Sequence, residues 1–502
     1  MLGGGASAAF AQRHDQTHAH AEPTIKRGEY IARAADCMSC HTAPGGKWLA
    51  GGTPLTTPYG TIYGSNITPD PETGIGQWSE ADFERALRQG VRKDGSYLYP
   101  AMPYTNYTKM TAADMNALWA YIKSVPAVRN TIPKNTLPFP LNVRSSLIVW
   151  QSLYLKPGIF QPVAGESAVW NRGAYLVEAL GHCDECHTPR SVALGPESKH
   201  QLTGAQIEGW YAPNISNDSM SKLKNWSASD LAKFFKSGMM PGNVKVVGPM
   251  QEVVHESLSY LTDSDLHAMA IYLKDQQNSD APKKPAPANW PGETLTAGKR
   301  LYENNCSSCH QSNGKGIAGS IPALAGNDAV TASEPYDVVM AMLEGFQPQG
   351  TWGAMGSFAH TLTDEQIADI ANYVRTAWGN DGLANATPWS VGSWRKYAES
   401  PTNESHALLC PNLPPDVIQP ALNVGTEALK AAAGDSAKMA RVVGGYSSSN
   451  PKASSAQVIE ALSAAYCRAV ARDPISEARM SAQIADFAQG VAVELGRAKP
   501  AG

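Results

Sequence analysis

The chain has 502 residues, room for about three or four domains by the usual length prior, and a formal net charge of −4 without a dense Lys/Arg run, which argues against nucleic acid as a partner. Charged residues make up 17%, below the roughly 25% of an average soluble protein, while Gly and Pro number 44 and 35. That composition suits many loops between short helices, wrapped on a large apolar cofactor. No uncharged apolar stretch reaches the roughly 18 residues of a membrane-crossing helix.

In chain order, Ala9-Phe10-Ala11 looks like the Ala-x-Ala end of a secretory leader, but residues 1–11 carry neither a positive n-region nor a full apolar core. The leader therefore reads as truncated, and His14, His18 and His20 read as a solvated tail. A helical phrase, Arg27-Gly28-Glu29-Tyr30-Ile31, then leads into Cys37-Met38-Ser39-Cys40-His41. The pattern returns twice. Arg172-Gly173-Ala174-Tyr175-Leu176 precedes Cys183-Asp184-Glu185-Cys186-His187, and Gly298-Lys299-Arg300-Leu301-Tyr302 precedes Cys306-Ser307-Ser308-Cys309-His310. Glycine at that place would let a second helix approach closely.

Cys-x-x-Cys-His is the attachment pattern of c-type haem. Two thiols on one helical turn can both reach the vinyl groups of one porphyrin, and the adjacent His lies under the iron as proximal ligand. A redox dithiol or half a zinc site could account for one Cys-x-x-Cys, but neither requires His after every copy. Three covalent haem c groups are thus expected on Cys37, Cys40, Cys183, Cys186, Cys306 and Cys309, with His41, His187 and His310 on the irons.

Each repeat closes alike. Helices are predicted to start at Thr111, Thr262 and Thr363, each with an acid or Gln three residues later. An opening and a closing helix crossing over a haem is the cytochrome c plan. The first two repeats also share Asn66-Ile67-Thr68 and Asn214-Ile215-Ser216, read as turn-formers, and Trp78-Ser79 and Trp226-Ser227 before a helix. The third is more compact, with its own loop at Asn313-Gly314-Lys315-Gly316.

A c-type iron takes Met or His as second axial ligand, and Met raises its potential. One Met recurs just before each closing helix: Met102 in Tyr99-Pro100-Ala101-Met102-Pro103-Tyr104, Met250 after Gly248-Pro249, and Met355 in Gly353-Ala354-Met355-Gly356. The rivals Met110, Met115, Met239 and Met240 fit less well, Met340 and Met342 read as helix core, and His255, His267 and His360 are the bis-His alternatives.

Residues 125–165 form a linker whose apolar run, Ser146–Trp150, is expected to pack between repeats; residues 275–293 form a Pro-rich spacer. Beyond Trp378 the pattern stops, and amphipathic spacing around Val458–Tyr466 and Met480–Val491 predicts helices. The two remaining cysteines, Cys410 and Cys467, are expected to form a disulfide in an oxidising compartment. The fold class expected is mainly α: three tandem cytochrome c-like helical haem domains plus a C-terminal helical extension. The boundaries drawn are 1–23 for leader and tail, 24–165, 166–280 and 281–385 for the haem domains with linkers, and 386–502 for the extension.

The block Asn66-Ile67-Thr68-Pro69-Asp70…Thr73-Gly74-Ile75-Gly76…Trp78-Ser79, with the Met102 and Gly248-Pro249-Met250 segments, resembles the three-haem cytochrome c subunits of bacterial membrane-bound dehydrogenases over roughly residues 24–380. The resemblance implies an electron-transfer subunit rather than a catalyst. Its partner would be a catalytic dehydrogenase subunit of quinoprotein, flavoprotein or molybdenum type, and its acceptor ubiquinone or a terminal oxidase. It also implies peripheral association at the periplasmic face of the inner membrane. Two rivals remain: a multihaem enzyme of peroxidase or thiosulfate dehydrogenase type, which needs an open iron, and a free periplasmic electron shuttle.

Overall fold

The structure is a computed structural model that describes residues 22–57, 59–191, 193–207, 210–218, 221–240, 244–276, 292–346, 352–398, 415–453 and 455–470, with 483, 487, 490, 491 and 493–495. Ala9–Ala11, Cys410 and Met480 lie outside them. The described elements are mainly short helices, with two-stranded ribbons as the only sheets among them. The chain divides into two compact units, one built on residues 1–208, 212–239 and 246–283, the other on 209–211, 240–245 and 284–502.

In the first unit, helix α1 (residues 22–34) crosses α2 (Ala112–Ser124). Next come α3 (Leu147–Tyr154) and α4 (Ala168–Tyr175), followed by α5 (Pro249–Glu256) and α6 (Asp263–Asp275). In the second unit α7 (Gly292–Asn305) crosses α8 (Asp364–Thr376), and α9 (Pro388–Ala398) packs on α8. Thr111, Thr262 and Thr363 cap the closing helices as expected. Each stands in extended backbone and its side chain accepts from the backbone N–H three residues on.

The crossings explain the repeated glycine. A Cβ added at Gly28 would lie 1.9 Å from the Ala117 carbonyl oxygen, at Gly173 2.0 Å from that of Ala268, and at Gly298 2.2 Å from that of Asp369. Main chain meets main chain there, so no side chain fits.

A reciprocal clasp joins the first two haem folds. Arg27 pairs with Asp114 at 2.5 Å, and the other Asp114 oxygen accepts from the Tyr175 hydroxyl at 2.7 Å. Arg172 pairs with Asp265, which accepts from the Tyr30 hydroxyl, both at 2.6 Å. Each tyrosine sits two residues after its own crossing glycine, and each aspartate three after the capping threonine of the other fold. The two folds thus exchange equivalent groups about a pseudo-two-fold, with a continuous apolar core from Ile31 to Leu273 beneath. At the matching positions the third fold has Arg300 and Gln366, and Gln366 instead closes a capping box on Thr363.

In the second unit the extension begins as a brace on the third haem fold. Arg395 of α9 pairs with Asp364 at 2.7 Å, and Trp394 meets Tyr336 edge-on at 4.8 Å. Arg375 of α8 is fully buried, donating to the carbonyls of Leu383, Val330, Glu334 and Ala332 and so tying two loops together. The remaining helices, Pro415–Leu422, Thr426–Ala432, Ser436–Ser449 and Ser455–Val470, enclose a core in which Tyr466 stacks on Phe487 at 4.2 Å. Cys467 lies in the last of these helices and is disulfide-bonded.

The apolar run that opens α3 departs from expectation. Ile148, Val149 and Leu153 face solvent, and packing falls to Trp150 and Gln151.

Gly173→Ala should force α4 and α6 apart. Overpacking of this kind costs about 1–3 kcal/mol, to be read as a lower thermal midpoint. An unchanged midpoint would show that the crossing can relax.

Candidate haem centres

Each motif is a single helical turn at the end of its opening helix: Cys37–His41, Asp184–His187 after Cys183, and Ser307–His310 after Cys306. The turn brings the two sulfurs and the imidazole to one face. The positions before and within it are tightly held. Asp36 adopts a left-handed backbone at φ 47° and its carboxylate accepts from the Ser39 hydroxyl at 2.7 Å.

The three imidazoles share one anchor. His41 Nδ1 donates to the Ser65 carbonyl at 2.6 Å, His187 Nδ1 to Pro213 at 2.7 Å, and His310 Nδ1 to Pro322 at 3.1 Å. A carbonyl can only accept, so Nδ1 carries the proton in each ring and Nε2 keeps its lone pair. Burial also lowers all three histidine pKa values, against the opposing pull of the carbonyl bond. The neutral, oriented imidazole is the form a haem iron binds.

This geometry gives the turn at the shared Asn-Ile string its purpose. Ser65 and Pro213 are the residues immediately before Asn66 and Asn214. The Asn66 side-chain oxygen accepts from Thr68 N–H at 3.0 Å, and that of Asn214 from Ser216 N–H at 3.0 Å. These Asx-turns hold the preceding carbonyl under the ring. The residue after each motif helps as well: Thr42 and Thr188 hydroxyls accept from Leu49 and Leu202 N–H, both at 3.0 Å, and both leucines have left-handed backbones.

Burial pushes Cys37, Cys183 and Cys306 up to about 12, whereas reactive Cys-x-x-Cys thiols are acidic. Each motif presents two thiols and one imidazole, the donor set of covalent haem c, and among the described residues no group of three or more His, Cys, Asp or Glu side chains is placed to hold a metal ion.

Met102, Met250 and Met355 are partly buried and pack against the apolar cores of their folds. Met110, Met115, Met340 and Met342 are fully buried core residues. His267 and His360 are exposed, and the exposed His255 bonds to Glu256. In the first unit the methionine-bearing segment of each fold borders the other fold's motif. The Asn106 amide donates to Asp184 at 2.6 Å and the Thr105 hydroxyl to Glu185 at 3.0 Å, while α5, which carries Met250, packs on the Cys37–His41 turn.

Three carbonyl-anchored motif histidines, each on a thioether-forming turn between crossed helices, define a multihaem c-type cytochrome. Comparison with known proteins agrees. The Cytochrome c family matches residues 25–126 and 295–378. The chain is 40% identical over 396 residues to the gluconate 2-dehydrogenase cytochrome c subunit of Pantoea cypripedii, covering 74% of this chain and 89% of that one. It is 40% identical to the fructose dehydrogenase cytochrome subunit of Gluconobacter japonicus over 404 residues (74% and 82%), and 38% identical to the alcohol dehydrogenase (quinone) cytochrome c subunit of Gluconacetobacter polyoxogenes over 418 residues (78% and 87%). The chain belongs to this family of dehydrogenase cytochrome c subunits, carries haem c, and works in electron transfer with a catalytic dehydrogenase partner.

Asp36, buried beside the first motif, gives a pH signature. Burial raises its pKa to about 8, Ser39 opposes, and the carboxylates of Glu252 and Glu256 add to the rise. An unfolded aspartate titrates near ~4, so the folded chain binds the extra proton between about pH 4 and pH 8. Stability contributed there falls as pH rises through that window. Asp36→Asn should flatten that part of the curve, seen as a smaller drop in thermal midpoint from pH 5 to 9; parallel curves would show that Asp36 is ionised in the fold.

Proposed function

We propose that this chain relays electrons from a quinoprotein, flavoprotein or molybdenum catalytic subunit, through three Met/His haems, to ubiquinone or a terminal oxidase. The catalytic partner of the relatives is a gluconate, alcohol or fructose dehydrogenase by name. The relay sits peripherally on the periplasmic face of the inner membrane, with haem folds at 24–165, 166–280 and 281–385. The observation that carries the reading is the repeated geometry: in every fold a neutral imidazole is oriented on one side, and one partly buried methionine precedes the closing helix. Bound haem supplies a one-electron couple; the chain supplies its ligands, a fixed imidazole tautomer and apolar walls. Met102 with His41, Met250 with His187 and Met355 with His310 would hold the three irons, and an iron so held would suit outer-sphere transfer and offer no position to a substrate.

Adjacency of the first two motifs supports exchange between their haems. Thr105, Asn106 and Lys109 of the first fold meet Glu185, Asp184 and Glu178 of the second, so the segment after Met102 lies against the second motif.

Two measurements test the proposal. The chain used as bait on solubilised membranes should retain a large quinoprotein, flavoprotein or molybdenum subunit identified by mass; recovery of the chain alone favours a free shuttle. Met102→His should lower the potential of one haem by a sizeable part of the ~0.8 V that axial ligands span, with the other two unmoved. An unchanged titration, or turnover of peroxide by the untouched protein, would refute Met102 ligation or the relay respectively.

A further inference from the structure

Helix α3 is built inside out. Gln151 is buried and its Nε2 donates to the Gly90 carbonyl at 3.3 Å. Trp150 Nε1 donates to the Ala193 carbonyl at 3.0 Å, and its ring lies 4.9 Å from Tyr154, whose hydroxyl bonds Ser191 at 2.7 Å. The polar and aromatic groups therefore face the protein. Ile148, Val149 and Leu153 face out and are 52–62% exposed. A surface helix ordinarily buries its aliphatic residues and shows its polar ones. Here the helix is fastened by hydrogen bonds so that the aliphatic face stays outside.

The patch extends beyond the helix. Most of the large apolar side chains that are exposed among the described residues fall between 139 and 163, with Phe139 at 80%. Apolar exposure concentrated in one segment, rather than scattered singly over the surface, points to an interaction surface.

Charge selects the occupant. Residues 126–165 contain Arg129, Lys134, Arg144 and Lys156 and no Asp or Glu, in a chain with 45 acidic and 41 basic residues. Lys134 and Lys156 are exposed on either side of the apolar run. Arg129 pairs with Glu72 at 2.7 Å and Arg144 lies over the Tyr99 ring, so the exposed Lys134 and Lys156 are the cations that meet anionic headgroups while the apolar face sinks to the acyl boundary. Within α3 the exposed large side chains are aliphatic, its aromatics Trp150 and Tyr154 being turned inward, and Phe139 is the one exposed aromatic between 139 and 163. With eight residues it is far too short to span.

We propose that residues 139–163, centred on α3, are the surface by which this protein lies on an anionic lipid bilayer. The assignment rests on the peripheral-membrane reading above and gives it a location.

The test uses the full haem-loaded chain, sedimented with phosphatidylcholine vesicles with and without phosphatidylglycerol. The wild type should bind the anionic vesicles preferentially. Ile148→Ser/Val149→Ser/Leu153→Ser should reduce binding about tenfold or more, as expected for losing several buried aliphatic groups, while Lys134→Gln/Lys156→Gln should remove the salt-sensitive part. Soret spectrum and thermal midpoint verify that the variants fold. Independently of any variant, amide exchange over 145–156 in the wild type should slow on adding anionic vesicles. If the triple variant binds as well as wild type, or exchange there is unchanged while binding occurs, the surface lies elsewhere and membrane association itself stands. If the wild type ignores vesicles, the membrane reading fails with it. Loss of the catalytic subunit from the triple variant with vesicle binding intact would make the patch a protein dock and overturn the assignment.

Discussion

The hydrogen bond from each motif imidazole to a main-chain carbonyl governs how the surrounding chain is arranged. A ring that must offer Nε2 to an iron needs its other nitrogen held, and a backbone carbonyl does this while also dictating the tautomer. Placing that carbonyl takes a loop returning to the motif. In the first two folds the Asn66 and Asn214 Asx-turns shape it, with Ile67 and Ile215 N–H bonding back to the Leu49 and Leu202 carbonyls. In the third, Pro322 serves from a different loop, braced by Leu324 N–H on the Gly314 carbonyl. The same end is reached through two local sequences, which is why the third repeat looks like a cousin and not a sibling.

Above the loops, the crossing glycines set how near the two helices of a fold can come. Contact at backbone distance leaves the remaining helix faces for other work, and the first two folds use them on one another. Tyr30 and Tyr175 each lend a hydroxyl to the aspartate that the other fold's arginine already holds, so two charges in each clasp are paired and hydrogen-bonded rather than left bare in a part-buried seam. The third fold has Arg300 and Gln366 at those positions and no equivalent clasp among the described residues. Its closing helix is braced by α9 and by the buried Arg375, whose donors are taken up by loop carbonyls. The extension thus shares its unit with the third fold and begins as the brace on its closing helix.

α3 follows the same economy of anchoring. Hydrogen bonds to Gly90, Ala193 and Ser191 hold a linker helix whose aliphatic face has no partner among the described residues. A segment selected only for packing would have been expected to turn Ile148, Val149 and Leu153 inward.

Much of this protein was legible in one dimension because its chemistry is local. A Cys-x-x-Cys-His turn, a Thr cap with its partner three residues on, and an Asn-x-Ser/Thr turn each complete themselves within a few residues, so the repeat, the mainly helical class and the haem follow from spacing. The glycine's need for a close helix was readable too, though not which carbonyl it meets. Tertiary structure decided what depends on residues far apart in the chain: that Ser65, Pro213 and Pro322 hold the imidazoles, that Tyr30 reaches Asp265 across more than two hundred positions, and that α3 shows its aliphatic side. An apolar run such as Ser146–Trp150 states that something apolar is wanted on one side; only the partners available to Trp150 and Gln151 determine which side that is.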